Sequence, residues 1–331
     1  MQLGFVGLGR MGANMVRRLS RGGHACSIYA RNREVSGALA RETGAEVAGS
    51  MAELVGKLAQ PRSVWVMVPA GPATDEVIAE LASLFQPGDT IIDGGNSNFK
   101  ETAARARVLR NSGIEQVDCG TSGGIHGLAR GYSLMLGGER DVVLRHGPLF
   151  DTLAPGIEAA PRTPSRAERP PTNVEQGWLH CGPAGSGHYV KMIHNGIEYG
   201  MMQAMAEGLA ILASTGDGAR PELDHVSLDL AEICEVWRRG SVVSSWLLDL
   251  TADALADNAG LEHYSTRVAD SGEGRWTVQA AVDQGISAPV ITGALFARFA
   301  SHDDSGIAPK VLSAMRNKFG GHAGVAPAGG K

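Results

Sequence analysis

Leu3-Gly4-Phe5-Val6-Gly7-Leu8-Gly9-Arg10-Met11-Gly12 stands at the head of the chain and decides how its first half is read. Leu3–Val6 is a short apolar run of the kind that forms a buried strand. Glycines follow at positions 7, 9 and 12, the G-x-G-x-x-G spacing. The first glycine of such a loop makes a tight turn. The second lets the backbone approach a pyrophosphate, and the third lets helix and strand pack closely. A helix over Met11–Arg21 would then turn its positive N-terminal end towards phosphates. Gly7, Gly9, Met11 and Gly12 are the candidate dinucleotide contacts. The motif alone is common, but between a strand and a helix it is specific.

Outward from this loop, short β-type runs alternate with helical patterns. The runs are Leu3–Val6, Ala25–Ala30, Ser63–Val68, Thr90–Asp93, Gln116–Cys119 and Ser133–Leu136, with Trp178–Cys181 as a last strand. Helices are predicted at Met11–Arg21, Met51–Leu58, Thr74–Leu84 and Lys100–Ser112. This alternation predicts an α/β fold, a Rossmann-type doubly wound parallel sheet, over residues 1–180. Ala159–Gln176, rich in Pro, Arg and Thr, reads as an exposed loop. From Gly185 onward the pattern is helical: Gly187–Ser214, Ser227–Arg238, Ser244–Asn258, Thr277–Gln284, Pro289–Ala300 and Ile307–Met315. An all-α C-terminal domain over 181–331 is expected, its Gly/Ala/Pro-rich tail mobile at the end.

Composition narrows the class. The 331 residues suggest two domains, each able to bury a core. Net charge is −5, with no basic run, so nucleic acid is not an expected partner. The opening residues read as strand and loop rather than a secretory signal, and no run of about 18 apolar residues exists to span a membrane. Cys26, Cys119, Cys181 and Cys234 are scattered without metal-ligand spacing, as expected of reduced thiols in a cytoplasmic protein. No metal is expected. Glycine, 45 of 331 residues, runs at about twice its usual share.

The end of the second strand bears on the cofactor. An NAD site usually carries an acid there for the ribose 2′-hydroxyl. Here the residues are Ala30-Arg31-Asn32-Arg33, and no acid appears before Glu34. Arg31 and Arg33, flanking Asn32, suit a 2′-phosphate, so NADP is favoured and NAD remains possible. Two further glycine loops follow apolar runs, Asp93-Gly94-Gly95-Asn96-Ser97 and Gly120-Thr121-Ser122-Gly123-Gly124. Both fall at carboxyl ends of strands, where open α/β sheets bind ligands. Asn96, Ser122, Gly123 and Gly124 are candidates for holding a carboxylate or the cofactor.

The chemistry concentrates in Gly185–Gln203, GSGHYVKMIHNGIEYGMMQ. Lys191, His194, Asn195 and Glu198 lie at i, i+3, i+4 and i+7, one face of a helix. Val190, Met192, Ile193, Ile197 and Met201 cover most other directions, which predicts a helix buried nearly all round. A buried stripe of amine, imidazole, amide and carboxylate is costly unless it is used. It supplies a base, an acid and two orienting groups on one rigid element. A lysine acts as a base only when its pKa falls from about 10.4, as desolvation would make it do. Further on, Ser271-Gly272-Glu273-Gly274-Arg275-Trp276-Thr277, Arg298 and Arg316–His322 together suit an anionic group such as phosphate.

Taken together, GLGRMG, DGGNS at 93–97, SGG at 122–124, KMIHNGIEYG at 191–200, GRWT at 274–277 and FGGH at 319–322 resemble the decarboxylating 6-phosphogluconate dehydrogenases. The resemblance covers most of the chain and is similar in length to the short bacterial form. The wider β-hydroxyacid dehydrogenases share the glycine loops and the helix lysine, but not the HNGIEYG run. The resemblance implies conversion of 6-phospho-D-gluconate to D-ribulose 5-phosphate and CO2 with reduction of NAD(P), a step of the pentose phosphate pathway. It implies Lys191 as general base and Glu198 as the acid that protonates C1. His194 and Asn195 would hold substrate hydroxyls. Asn96, Ser122 and Gly124 would meet the carboxylate end and cofactor. Tyr199, Arg298 and Arg316 would hold phosphate, and His322 would close over the site. It also implies a homo-oligomer whose tail reaches a neighbouring subunit.

The chain departs from the long form of that family at Ser271 and Glu273, where a Lys and a Thr stand, and at Ala30, where an Asn stands. One cation leaves the phosphate side and an acid arrives. The competing expectation is another β-hydroxyacid dehydrogenase, of 3-hydroxyisobutyrate type, acting on an unphosphorylated hydroxy acid. It predicts no use for Arg298, Arg316 and His322. A silent dinucleotide-binding reporter would need no acid–base stripe.

Overall fold

The computed structural model describes residues 1–216, 226–303 and 306–320. Two compact units divide the chain, Met1–Gly196 and Ile197–Lys331.

The first unit opens with β1 (Gln2–Val6), α1 (Arg10–Arg21), β2 (Ala25–Tyr29), α2 (Arg33–Thr43), β3 (Glu46–Val47) and α3 (Met51–Gly56). It continues through β4 (Ser63–Val66), α4 (Pro72–Leu84), β5 (Thr90–Asp93), α5 (Phe99–Arg110) and β6 (Glu115–Ser122). After the short α6 (Gly127–Arg130) come β7 (Ser133–Gly137), α7 (Arg140–Arg145), α8 (Gly147–Leu153), α9 (Asn173–Gln176) and β8 (Trp178–Gly182). The eight strands form one sheet in the order β3-β2-β1-β4-β5-β6-β7-β8. The pairs from β3 to β6 are parallel. The order reverses beside β1, which makes the switch point where doubly wound sheets bind dinucleotides. Only β6 and β7 run antiparallel. Between Ser122 and Ser133 the chain is too short for a full crossover helix, so β7 must turn back.

Side-chain alternation splits each central strand between two cores. Leu3, Phe5, Trp65 and Ile92 join one cluster with Met15, Val16 and Leu19 of α1 and Phe150 of α8. Val6, Val64, Val66 and Ile91 join the other with Leu54, Ile78 and Leu109. Both faces of the sheet are therefore covered, as a parallel sheet requires. Thr90–Asp93 forms over the predicted span, and most other strands differ from expectation by one to three residues at an end. α2 and β3 lie outside the predicted elements. The 159–176 segment is largely exposed, as predicted, and carries three-residue helical turns and α9.

α10 (Ser186–Ala213) begins in the first unit and continues into the second. The second unit adds α11 (Leu230–Arg238), α12 (Trp246–Asp257), α13 (Glu273–Gln284), α14 (Pro289–Ala300) and α15 (Ile307–Gly320). Among its described residues there is no strand. Cys234, Leu248, Ala252 and Leu255 centre one apolar cluster, and Tyr199, Ala294 and Leu295 a second. α13 starts at Glu273, four residues before the predicted Thr277. Gly272, with φ 103°, caps it, and Gly274 is tolerated inside because a Cβ there would come within 2.6 Å of the Tyr199 ring. Among the described residues no helix is long and apolar enough to cross a membrane.

Candidate active site

The glycine loop after β1 has the shape of a cofactor cradle. Gly7 adopts φ 96°, and a Cβ there would lie 2.3 Å from the Met67 carbonyl oxygen. A Cβ on Gly12 would lie 2.1 Å from the Gly7 oxygen. Those two glycines are required by the protein itself. Gly9 is not: its φ is −66°, and a Cβ would meet nothing within 4 Å. Open space above a helix whose N-terminus no side chain caps fits a pyrophosphate held by backbone N–H groups. Met11, half-buried, stands in the first turn of α1. Arg31, Asn32 and Arg33 are exposed just beyond β2. Asn32 is spoken for in part, its Oδ1 accepting the Glu34 N–H at 3.0 Å to cap α2.

The loop after β5 is fixed from beneath. Buried Asp93 accepts the Gly95 N–H at 3.1 Å and the Ser97 hydroxyl at 3.0 Å. Arg105 of α5 donates to the same carboxylate at 3.0 Å and to Asp75 at 2.7 Å. Asn96 is left exposed at the loop tip. Neither Asp93's part nor Arg105's is legible in spacing, because the pairing crosses from a strand end to a helix face.

α10 is clamped to the sheet. The Asp118 carboxylate of β6 accepts the N–H of Gly185 at 2.6 Å and of His188 at 2.8 Å, satisfying donors at the helix N-terminus. Backbones meet closely here. A Cβ on Gly120 would lie 2.4 Å from the Lys191 Cβ, and one on Gly187 2.4 Å from the Met135 oxygen. Lys191 is thereby seated on β6.

Lys191 is 7% exposed and Asn195 9%. Lys191 Nζ donates to Asn195 Oδ1. His194 Nδ1 is 3.2 Å from the same oxygen, and His194 Nε2 is 3.3 Å from Ser122 Oγ at the end of β6. A tautomer protonated at Nδ1 satisfies both contacts, the ring donating to Asn195 and accepting from Ser122. The structure thus brings Lys191, His194, Asn195 and Ser122 together. Gly123 and Gly124 follow with φ 137° and 54°, a backbone turn after the strand. One expectation is corrected. The helix is not buried all round: Ile197 is 52% exposed, and Val190 and Met201 are exposed too. Lys191 and Asn195 are buried beside Met192, while His194 and Glu198 are half-buried, because the lysine face of the helix rests on the glycines of β6.

In the second unit, half-buried Glu198 and buried Tyr199 follow on the same helix. The Arg298 guanidinium of α14 stacks 3.7 Å from the Tyr199 ring and donates to the Ala269 carbonyl at 2.9 Å. Asp270 pairs with Arg275. Burial alone would raise the Asp270 carboxyl, but Arg275 and the Gly272 N–H together hold it below the usual range. Arg316 is exposed on α15. His322 lies outside the described residues. No group of three or more His, Cys, Asp or Glu among the described residues is placed to hold a metal ion.

Residues 2–160 match the NAD binding domain of 6-phosphogluconate dehydrogenase, and residues 187–323 match the C-terminal domain of 6-phosphogluconate dehydrogenase. The chain is 37% identical over 323 residues to the NAD(+)-dependent, decarboxylating 6-phosphogluconate dehydrogenase of Haloferax volcanii, covering 97% of this chain and 98% of that one. Among solved structures it is similar to Plasmodium falciparum 6-phosphogluconate dehydrogenase, described in apo form, with its cofactor NADP+ and with its substrate 6-phosphogluconate. There the TM-score is 0.76 and the identity 27%, covering 100% of this chain and 67% of that one. Mycobacterium tuberculosis 3-hydroxyisobutyrate dehydrogenase shares the fold at TM-score 0.64 and 22% identity, over 91% of this chain and 94% of that one. With its NAD-binding Rossmann domain followed by a helical domain, both matched by the models of one enzyme, the chain belongs to the 6-phosphogluconate dehydrogenase family.

Proposed function

We propose that this protein oxidatively decarboxylates 6-phospho-D-gluconate to D-ribulose 5-phosphate and CO2, with NADP as the favoured acceptor and NAD also accommodated. The observation that carries this reading is the buried Lys191–Asn195 pair, on a helix pressed against the strand that ends in Ser122-Gly123-Gly124. Likeness over nearly its whole length to a decarboxylating 6-phosphogluconate dehydrogenase supports the substrate. Arg31 and the absence of an acid from Ala30 to Arg33 support NADP.

In this reading Gly7, Gly9, Met11, Gly12, Arg31, Asn32 and Asn96 hold the dinucleotide, which supplies the acceptor for the hydride from C3. Lys191 takes the proton from the 3-hydroxyl. Its amine needs a fixed position to do so, and Asn195 Oδ1 gives it one. His194 and Asn195 hold substrate hydroxyls, and Ser122, Gly123 and Gly124 hold the C1 carboxylate. The product of oxidation is a β-keto acid, which loses CO2 readily. Glu198 then delivers a proton to the carbon that lost CO2, C2 of the substrate and C1 of the product. Tyr199, Arg298 and Arg316 hold the distal phosphate, and His322 closes over the site. The segment from residue 181 onward, helical from Ser186, serves substrate binding and assembly. A homo-oligomer is part of the proposal, as the family resemblance implies; apolar side chains stand exposed on several helices of the second unit, Ile197, Val236, Val282 and Val290 among them. A monomer mass by light scattering at micromolar concentration would refute that part.

The direct test of the base is Lys191→Met. It should keep cofactor binding and melting temperature and lower kcat at least 10²–10⁴-fold. Activity within a few-fold of wild type would remove Lys191 from the role. A second reading, an unphosphorylated hydroxy acid as substrate, is favoured by one observation: the buried acid Glu273 close to Tyr199.

A further inference from the structure

Glu273, the first residue of α13, is 2% exposed. Its Oε2 accepts the Ser271 hydroxyl at 2.5 Å. Its Oε1 is buried and has no hydrogen-bond partner among the described residues. An acceptor left that way is costly, so the position calls for a donor. The neighbouring groups do not provide one. Asp270 and Arg275 answer each other. Arg298 is stacked on Tyr199 and bonded to Ala269. The Tyr199 hydroxyl lies 3.5 Å from Asp270 Oδ1 and from Ser271 Oγ, and 3.4 Å from the Ser271 nitrogen, contacts loose enough to leave it open to a ligand. The first turn of α13 lies against that same ring through Gly274.

A doubly ionised phosphate ester brings only acceptor oxygens to such a carboxylate, and like charge with them. A singly protonated ester brings one P–OH donor and half the charge. We propose that Glu273 is a specificity-determining residue for the distal phosphate: its Oε1 accepts the P–OH of the monoanionic ester, while Tyr199 and Arg298 donate to the ionised oxygens. This rests on the reading of the substrate as phosphorylated. The second ionisation of a phosphate ester lies near pH 6, so the bound form becomes about 50-fold scarcer between pH 6 and pH 8. Among the described residues, the titratable and charged groups tied to this cluster by the contacts above are Tyr199 from α10, Asp270 from the preceding loop, Arg275 from α13 itself and Arg298 from α14. None of their side-chain types ordinarily changes charge between pH 6 and pH 8.

The test is calorimetric binding of 6-phosphogluconate to the full chain from pH 5.5 to 8.5, with gluconate as the control for groups at the reacting end. In the wild type the dissociation constant for 6-phosphogluconate should rise about 50-fold from pH 6 to pH 8 beyond any change seen with gluconate. Glu273→Gln, whose amide can donate to a dianion, should lose most of that rise. A wild-type probe guards against a variant that does not fold. Inorganic phosphate, which carries a proton, should compete with 6-phosphogluconate at pH 6 at least tenfold better than sulfate, which does not. Binding indifferent to pH, a Glu273→Gln slope equal to wild type, or equal competition by the two anions overturns the assignment of Glu273 alone. So does weaker gluconate binding in Glu273→Gln with a flat phosphate profile, which would give Glu273 a substrate hydroxyl instead. No binding of 6-phosphogluconate at any pH overturns both this inference and the substrate on which it rests.

Discussion

At the scale of single residues, some buried polar groups work on the fold and not on a ligand. His146 is of this kind. It is fully buried between α7 and α8, its Nδ1–H donating to the Val142 carbonyl at 2.8 Å and its Nε2 accepting from Ser63 at 2.7 Å. Burial pushes its pKa down to about 4. In the unfolded chain a histidine titrates near 6.5, so between those values the unfolded state binds the extra proton. Stability is therefore full above pH 6.5 and is lost as pH falls towards 4. From pH 7 to pH 5 the loss from this one group is on the order of 2 kcal/mol. Urea unfolding should show a pH 7 to pH 5 difference smaller by that amount in His146→Asn than in wild type, and equal differences would contradict the assignment. Nothing in the sequence around His146 marks it as buried, because its partner Ser63 lies 83 positions away. The polar stripe was legible for the opposite reason. Lys191, His194 and Asn195 declare their common face by spacing within one helix, whereas Asp118, which anchors that helix, acts across 67 and 70 positions.

At the scale of elements, the contact between α10 and β6 is made by residues that lack side chains. Gly120→Ala would place a methyl 2.4 Å from the Lys191 Cβ and 2.8 Å from the Gly187 oxygen, and neither neighbour is the free end of a flexible chain. The helix must shift or the lysine must move. Overpacking of this kind typically costs about 1–3 kcal/mol, and displacement of a base by an ångström costs far more in rate than in stability. Gly120→Ala should lower kcat by at least tenfold while denaturation still shows a cooperative fold. Wild-type kcat in a folded variant would show that the seating of α10 does not position Lys191. Elements rich in apolar residues were read closely, Thr90–Asp93 and Pro289–Ala300 over their predicted spans. α2 escaped because it buries only Ser36 and Leu39, with Gly37 between them. β3 escaped because two residues leave no period to detect.

At the scale of the molecule, alternation of strand and helix foretold a doubly wound sheet, and the order β3-β2-β1-β4-β5-β6 agrees with it. The antiparallel turn at β7 was not foretold, since strand composition says nothing about which neighbour a strand will pair with. What the chain does with this frame comes down to its substrate and its products. The most direct measurement follows NADPH and CO2 together, with 6-phosphogluconate, gluconate and 3-hydroxyisobutyrate offered in parallel and NAD run beside NADP. The account predicts one CO2 per NADPH from 6-phosphogluconate, a much lower kcat/KM for the two unphosphorylated acids, and faster turnover with NADP than with NAD. Reduction of NADP by 3-hydroxyisobutyrate or gluconate in preference to 6-phosphogluconate, or NADPH formed without CO2, would contradict it.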